Sequence, residues 1–294
     1  MKSGFVGLIG RPNVGKSTLI NNIIGTKIAI ISNKPQTTRN IIQGIYNDEE
    51  SQIVFVDTPG IHKPNHKLGQ YLNKQAYYSI DDVDVIMMLT DVSEPLGAGD
   101  KYVIEKLKEV NKPVILILNK IDKIPREKIL TKIVEYKDLY NFSEIIPISA
   151  LTSINVDDVI KTCKKYLPES VKFFDDDTIT NKSNKFLISE MIREKIFLLT
   201  EEEVPHSTSC YIEKIEKSKN SLNIIATIVV DRDSLKRIII GKQGAMIKKI
   251  GTMARYDIEQ LLKKKVYLDL HVRTIEKWRD KEKYLSEFGY NEFE

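Results

Sequence analysis

Residues 10–17 read Gly-Arg-Pro-Asn-Val-Gly-Lys-Ser and gather two glycines, a lysine and a hydroxyl into one short loop. Glycines let a backbone wrap closely, so that consecutive N–H groups can point at one anion. The spacing matches GxxxxGK[ST], and it stands where a branched apolar run gives way to helical periodicity, the context in which this pattern cradles phosphate. The helix N-terminus adds partial positive charge. The phosphate-binding set is read as Gly10, Asn13, Val14, Gly15, Lys16, Ser17 and Thr18, with Lys16 reaching the β and γ phosphates and the Ser17 hydroxyl ligating Mg²⁺. Downstream, Asp57-Thr58-Pro59-Gly60 ends another apolar run. Its carboxylate is suited to hold Mg²⁺ through a water, and the Gly60 N–H to sense a γ-phosphate. Between the two motifs lies Lys34-Pro-Gln-Thr37-Thr38-Arg39, where a threonine must complete the Mg²⁺ shell; Thr38 is preferred to Thr37. The metal set is thus Ser17, Thr38 and Asp57, the last through water.

A third motif selects the base. Asn119-Lys120-Ile121-Asp122 follows the run VILIL. A buried aspartate here accepts from N1–H and the 2-amino group of guanine, a pair that adenine does not offer, so an adenine would leave it unsatisfied. Asn119 steadies the loop, and the Lys120 stem covers the ring face. Ser149-Ala150-Leu151 closes the set with a backbone N–H for guanine O6. All four motifs fall in order at the C-terminal ends of strands, where open α/β sheets bind ligands. The implied ligands are GTP or GDP with Mg²⁺. Ile61 stands where many GTPases carry a water-orienting glutamine, and isoleucine cannot take that role. Asn13 either helps bind a monovalent cation such as K⁺ or simply shapes the loop. His62 and His66 are assigned no chemistry.

Near the other end, Ile238-Ile-Ile240-Gly241-Lys242-Gln243-Gly244-Ala-Met-Ile247 sets a GxxG loop between two helical stretches. Such a loop admits a nucleic-acid backbone closely while an adjoining apolar groove holds unstacked bases, the KH arrangement. The RNA-binding set is Gly241, Lys242, Gln243, Gly244, Lys248 and Lys249. Lys248, Lys249 and Arg255 either extend a phosphate track or form a solvated helix face. Residues 214–265 carry 13 basic and 5 acidic side chains, whereas residues 1–180 carry 23 of each. The local excess points to a polyanion, nucleic acid or membrane surface, or else to a solvated lysine-rich face, which charge alone slightly favours.

The elements that must position these residues follow from periodicity. Apolar runs at 5–10, 53–57, 83–90, 114–119 and 145–149 alternate with helical patterns at 16–24, 66–80, 99–110, 126–140 and 156–167. This predicts an α/β domain with a mostly parallel sheet covered on both faces. The run 41–46, joined to the next by NDEES, predicts an antiparallel edge strand. Domain boundaries are expected at 1–170 for the nucleotide domain, 171–184 for a polar linker and 185–294 for an α+β KH domain. In that domain the order is helix at 185–202, strands at 207–216 and 221–230, two helices, a strand at 266–272 and a helix at 278–288.

Bulk properties fit: 29% charged and 41% apolar residues are ordinary for globular chains. No apolar run approaches the ~20 residues that span a bilayer, and the first residues show no signal-peptide pattern. Cys163 and Cys210 lie far apart and form no ligand spacing, which fits a reducing cytoplasm.

With GRPNVGKST, KPQTTR, DTPGIHKP, NKID, SAL and IIIGKQGAMIKKIG in this order, the chain closely resembles the bacterial Era GTPase family along nearly its whole length. The resemblance implies a Ras-like P-loop domain joined to a KH domain, and binding near the 3′ end of small-subunit ribosomal RNA in the maturation of that subunit. It also implies a cytoplasmic protein that associates peripherally with the cell membrane, read here as a monomer. Ile61 fits that family. Three rival readings stay open: a P-loop small-molecule kinase, an RNA-binding protein with an inert nucleotide site, and a basic membrane anchor.

Overall fold

The computed structural model describes residues 1–34, 37–59, 66–72, 74 and 82–290. They divide into two compact units. One gathers most described residues up to 181. The other gathers those from 182 onward with two short stretches of the first 71 residues, which include Lys34 and Thr37.

The first unit is built on a six-stranded sheet. Its strands are β1 (Lys2–Ile9), β2 (Ile42–Asn47), β3 (Ser51–Asp57), β4 (Val85–Asp91), β5 (Val114–Asn119) and β6 (Glu144–Pro147), in the spatial order β2-β3-β1-β4-β5-β6. All neighbours pair in parallel except β2 with β3. The hairpin forms because NDEES can turn: Asp48 accepts from the Ser51 and Glu50 N–H groups at 2.8 and 3.0 Å. Four helices are α1 (Lys16–Ile24), α2 (Ala98–Leu107), α3 (Glu127–Lys137) and α4 (Val156–Tyr166).

Strand β4 shows why the central runs lack alternation. Residues 85–89 are all fully buried, because both faces are covered. Ile86 and Met88 join Leu116, Leu118, Val103, Leu107 and Tyr136 in one apolar cluster with α2 and α3. Met87, on the opposite face, meets Cys163 of α4, with the sulfurs 3.8 Å apart. Each buried aliphatic side chain of this kind stabilises by about 1.5–3 kcal/mol.

Residues 173–181, within the stretch expected as a linker, pack along β2 and β3. Gln52 donates to the Phe174 carbonyl at 2.8 Å and accepts from the Phe173 N–H at 2.6 Å. The Ile45 N–H donates to the Ile179 carbonyl at 3.0 Å, and the Phe5 and Phe173 rings lie 4.9 Å apart. Outer groups of an edge strand need partners, and this stretch supplies them. Of the helix expected at 66–80, residues 67–72 and 74 are helical; Asn73 and residues 75–80 lie outside the described residues.

In the second unit, α5 (Asn184–Leu199) begins at Ser183, whose side chain accepts from the Phe186 N–H at 3.3 Å. Then come β7 (Thr208–Lys217), β8 (Ser221–Val230), α6 (Asp233–Ile240), α7 (Ala245–Leu262) and β9 (Lys265–Thr274). The hairpin partners β7 and β8 are antiparallel, while β9 joins β8 in parallel. Parallel strands need a long crossover, here the two helices flanking the GxxG loop. Ile192, Ile196, Ile228, Ile239, Ile250 and Ile258 fill the core between helices and sheet. Most of α5 is buried, charges included: Arg193 pairs with Glu190, and Lys195 with Glu194 and Asp257.

The segment expected as one helix at 278–288 is a single turn at Trp278–Asp280 followed by α8 (Glu282–Glu287). Trp278 is fully buried, and its ring N–H donates to the Ser207 carbonyl at 3.0 Å.

Candidate nucleotide site and candidate nucleic-acid interface

The phosphate loop, DTPG, NKID and SAL motifs follow β1, β3, β5 and β6 at the C-terminal edge of the sheet, with Lys16, Ser17 and Thr18 opening α1, while Thr37 and Thr38 precede β2. After β1 the chain turns through Gly10 and Asn13, whose φ is 66°, to Gly15, which has φ 103° and precedes α1. A Cβ at Gly15 would stand 2.2 Å from the Asn119 side-chain nitrogen, so only glycine fits. Asn119 ties the loops together, donating to the Val14 carbonyl at 2.7 Å and accepting from the Ala150 N–H at 2.9 Å. Of the backbone N–H groups at 149–151, any of which the sequence allows to reach guanine O6, that of Ala150 is committed to Asn119. Leu151 is exposed. Lys120 sits at φ 69° and donates to the Asn13 carbonyl and to Asp91, at 2.7 and 2.5 Å.

Asp122 was expected to be buried, but it is exposed. It stands on the single turn Ile121–Lys123 beyond β5 and accepts from the Ser149 hydroxyl at 2.6 Å.

The magnesium-linked residues converge. The Ser17 hydroxyl donates to Asp57 Oδ2 at 2.7 Å and lies 3.0 Å from the Thr38 hydroxyl. The Thr37 hydroxyl donates instead to the Lys34 carbonyl at 2.7 Å, and the Thr37 carbonyl accepts from Arg193 within the second unit. Gly60 and Ile61 lie outside the described residues. Asp57 is fully buried, and its Oδ1 accepts no hydrogen bond among the described residues. Burial pushes its pKa up against the pull of Lys16, and burial pushes the Lys16 ammonium down. Lys16 meanwhile donates to the Gly10 and Arg11 carbonyls, each at 3.2 Å. A buried carboxylate with one unshared oxygen, flanked by two hydroxyls, is a donor set for a hard divalent cation. A buried ammonium beside it calls for phosphate.

Three further residues brace the site: Arg11 and Thr58 within the quoted motifs, and Asp91 outside any of them. Arg11 braces the loop through Asp100 at 2.9 Å and Glu94 at 3.2 Å. Asp91 holds Lys120; burial acts to raise its pKa, but hydrogen bonds from Lys120 and Ser93 leave it lowered. Thr58 donates to the Leu8 carbonyl at 2.8 Å, fixing the start of the DTPG turn to β1. Asp100 could have been suspected from its place in the first turn of α2, but its partner lies 89 residues away.

In the second unit, Gly241 has φ 72°, and a Cβ there would stand 2.8 Å from the Met246 nitrogen. Lys242 and Gln243 are exposed at the tip. Beside this loop runs a groove of about 820 Å³, lined by Ile247, Lys248, Gly251, Thr252 and Arg255 of α7, Asn223, Ile224 and Ile225 of β8, and Tyr267, Leu268, Asp269 and Leu270 of β9, with Glu216 of β7 at its edge. Lys249 is exposed and does not line it. The floor is apolar, Arg255 and Lys248 are cationic, and Tyr267 is exposed, so the groove can stack bases and grip phosphates. Sequence reasoning missed Tyr267 and Thr252; nothing but the crossover geometry brings β9 beside α7.

Comparison with known proteins agrees with this geometry. A family model described as 50S ribosome-binding GTPase matches residues 5–120, and a KH domain model matches residues 203–279. GTPase Era of Clostridium kluyveri is 51% identical over 291 residues, covering 99% of both chains. Two solved structures each share 43% identity with a TM-score of 0.95 and cover 99% of both chains. One is an Aquifex aeolicus Era variant bound to GDP.AlF4-. The other is Era in complex with MgGDPNP and nucleotides 1506–1542 of 16S ribosomal RNA. With both motif sets placed on their elements and this similarity spanning the whole chain, the protein belongs to the Era family of GTPases.

Proposed function

We propose that this protein is a GTP-hydrolysing switch that binds the 3′ region of small-subunit ribosomal RNA and assists maturation of that subunit. The observation that carries the nucleotide half is the cluster of Lys16, Ser17, Thr38 and Asp57, with Asp57 Oδ1 unshared. Ser17 and Thr38 hold Mg²⁺ through their hydroxyls and Asp57 holds it through water. When bound, Mg²⁺ neutralises charge on the β- and γ-phosphate oxygens. The phosphate loop, residues 10–18, wraps the phosphates with its N–H groups, and Lys16 donates to the β and γ oxygens. Asp122 accepts from the guanine N1–H and 2-amino group, while Asn119, Ser149 and Ala150 hold that loop in place. Gly60 reports the γ-phosphate.

Residues 1–170 form the GTPase domain, 171–184 the connection, and 185–294 the RNA-binding KH domain. Lys242, Gln243 and the glycines at 241 and 244 clamp the RNA backbone, and Lys248 and Lys249 add phosphate contacts. The relative bound to nucleotides 1506–1542 of 16S ribosomal RNA supports this target. The family resemblance extends the reading to a cytoplasmic monomer with peripheral membrane association. Among the described residues no helix is long and apolar enough to cross a membrane. Asn13 is a ligand candidate for K⁺, with equal turnover in sodium and potassium buffers as the result against it.

The test of the whole is phosphate release from GTP, with and without Mg²⁺ and the 3′ rRNA segment. Expected is Mg²⁺-dependent release that ATP does not replace. Equal uptake of adenosine and guanosine nucleotides would overturn the reading. Comparing RNA affinity of the GDP and GTP-analogue forms tests the switch; equal affinities would remove it.

A further inference from the structure

At the far end of the groove from the GxxG loop, the structure gathers a second concave, strongly basic surface. It measures about 440 Å³ and is lined by Lys217 and Lys219 of the β7–β8 hairpin and by Lys263, Lys264 and Lys265 where α7 passes into β9. These five lysines come from two turns distant in sequence. They meet because Ser221 pairs with Lys265 in the register of β8 with β9. All five are exposed. Among the described residues, no carboxylate lies within ion-pair distance of Lys217, Lys219, Lys263 or Lys264, and the Lys265 partner, Glu259, is 4.0 Å away. Four unshared ammonium groups around one hollow repel one another unless an anion is bound. Cations at 263–265 also complement the α7 C-terminus, but that does not account for Lys217 and Lys219 on the hairpin.

The hollow continues the groove. Helix α7 and strand β9 run antiparallel: a Cβ on Gly251 would stand 3.3 Å from Leu270, while Glu259 accepts from the Val266 N–H at 2.9 Å. The 18 residues of α7 therefore separate the GxxG loop from the lysines by about 27 Å. Along the sheet the two surfaces abut: Asn223 and Tyr267 line the groove, and Ser221 and Lys265, two residues earlier on the same strands, line the hollow.

We propose that Lys217, Lys219, Lys263, Lys264 and Lys265 form a phosphate clamp that grips the backbone of single-stranded RNA leaving the groove. It extends the bound strand beyond the four nucleotides that a GxxG module holds by itself. The inference rests on the reading of the groove as an RNA site. Continuity with that groove, with its stacking Tyr267, favours a polynucleotide over a membrane surface.

The experiment uses the full chain. Binding of a tetranucleotide and of an RNA several times longer, both from the 3′ rRNA segment, is measured by fluorescence anisotropy across a salt series. The wild-type protein is compared with a variant carrying Lys217→Gln, Lys219→Gln, Lys263→Gln and Lys264→Gln. A Lys242→Asp variant marks loss of the loop, and thermal midpoint and GTP-analogue binding report folding. The clamp predicts that the glutamine variant binds the tetranucleotide as wild type but the longer RNA roughly tenfold more weakly. The slope of log K against log salt should shrink by about 2 to 3, the loss of three to four phosphate contacts on a single strand. An unchanged slope and affinity for the longer RNA overturns the clamp while leaving the groove intact. An equal loss on both lengths overturns it too, since the lysines then act through the groove itself. Loss of binding to phosphatidylglycerol vesicles with RNA binding unchanged assigns the lysines to a membrane instead. If the wild-type protein binds neither RNA, the groove reading falls and the clamp with it.

Discussion

The nucleotide site and the RNA groove solve the same problem, holding a phosphate chain and a base, by opposite means. In the first, buried side chains and backbone groups fix one another before any ligand arrives: Asn119 joins two loops, Lys120 ties in Asp91 at the end of β4, and Asp57 and Lys16 are buried. In the second, the contacts are exposed lysines, an arginine and a tyrosine on a rigid scaffold of helix and strand. Preorganised burial gives discrete selection, because one wrong group leaves a buried partner unsatisfied. Exposed charge gives graded, salt-dependent affinity. Single substitutions should therefore be decisive in the first region and incremental in the second.

The largest effect is expected at Asp122, which is exposed and selects through its own pairing with the base rather than through burial. Asp122→Asn exchanges an acceptor for a donor, and the ratio of guanine to xanthine nucleotide affinity should fall by on the order of 10⁴. Competition binding checks it; an unchanged ratio would make this carboxylate a mere brace for Ser149. Next, Lys16→Ala removes a charge-assisted donor worth about 1.5–3 kcal/mol, so triphosphate affinity should drop roughly 10- to 100-fold, as read by calorimetry. A Lys242→Ala change, by contrast, should weaken RNA binding uniformly across sequences and lower the salt slope by only about 0.7. A larger loss for one sequence than another would blur the contrast between the two regions.

Two glycines sharpen the comparison within the second unit. Gly241→Ala meets both a positive φ and the Met246 backbone, whereas Gly244, at φ 78°, has open space around it. The first change should destabilise by about 2–3 kcal/mol and the second by about 1–2 kcal/mol, measured by denaturant unfolding.

The acid dependence also separates the regions. Burial raises the Asp57 pKa, so its carboxyl takes up a proton at a higher pH than an ordinary aspartate. Proton and Mg²⁺ compete for the same oxygens. Affinity for Mg²⁺-nucleotide should hold at neutral pH and fall as pH drops toward the raised value, while RNA affinity does not fall over that range. Parallel titrations of both ligands test this. The smallest effect belongs to Asp48. Burial acts to raise its pKa, but Lys164, Ser51 and the Glu50 N–H hold it down to about 2. Its contribution is full above the unfolded value near 3.9 and is lost as pH falls through about 2. The pair is partly exposed, so Asp48→Asn should cost no more than about 1 kcal/mol.

The order of strands and helices, the antiparallel edge strand and the four nucleotide motifs were legible in the chain because each is local. Periodicity of two or 3.6, a glycine where φ must be positive, or a hydroxyl after a lysine needs no distant partner to be recognised. The GxxG loop was legible for the same reason. What the residues could not declare were the long-range pairings. Arg11 with Asp100, Gln52 with the stretch at 173–174, and Trp278 with the Ser207 carbonyl join positions whose spacing carries no period. The polar composition of 171–184 signalled a linker without its packing, because sequence does not show which strand edge lacks a partner.

Sequence alone thus determined which ligands the chain is equipped to hold, since that depends on side-chain chemistry in short loops. Tertiary structure alone decided how those loops are braced, that Asp122 lies at the surface, and that two lysine-rich turns meet at one end of the groove. The reason is physical. Local conformation is set by backbone sterics and neighbouring residues, whereas proximity between distant segments is settled only when the core packs and the sheet takes its register.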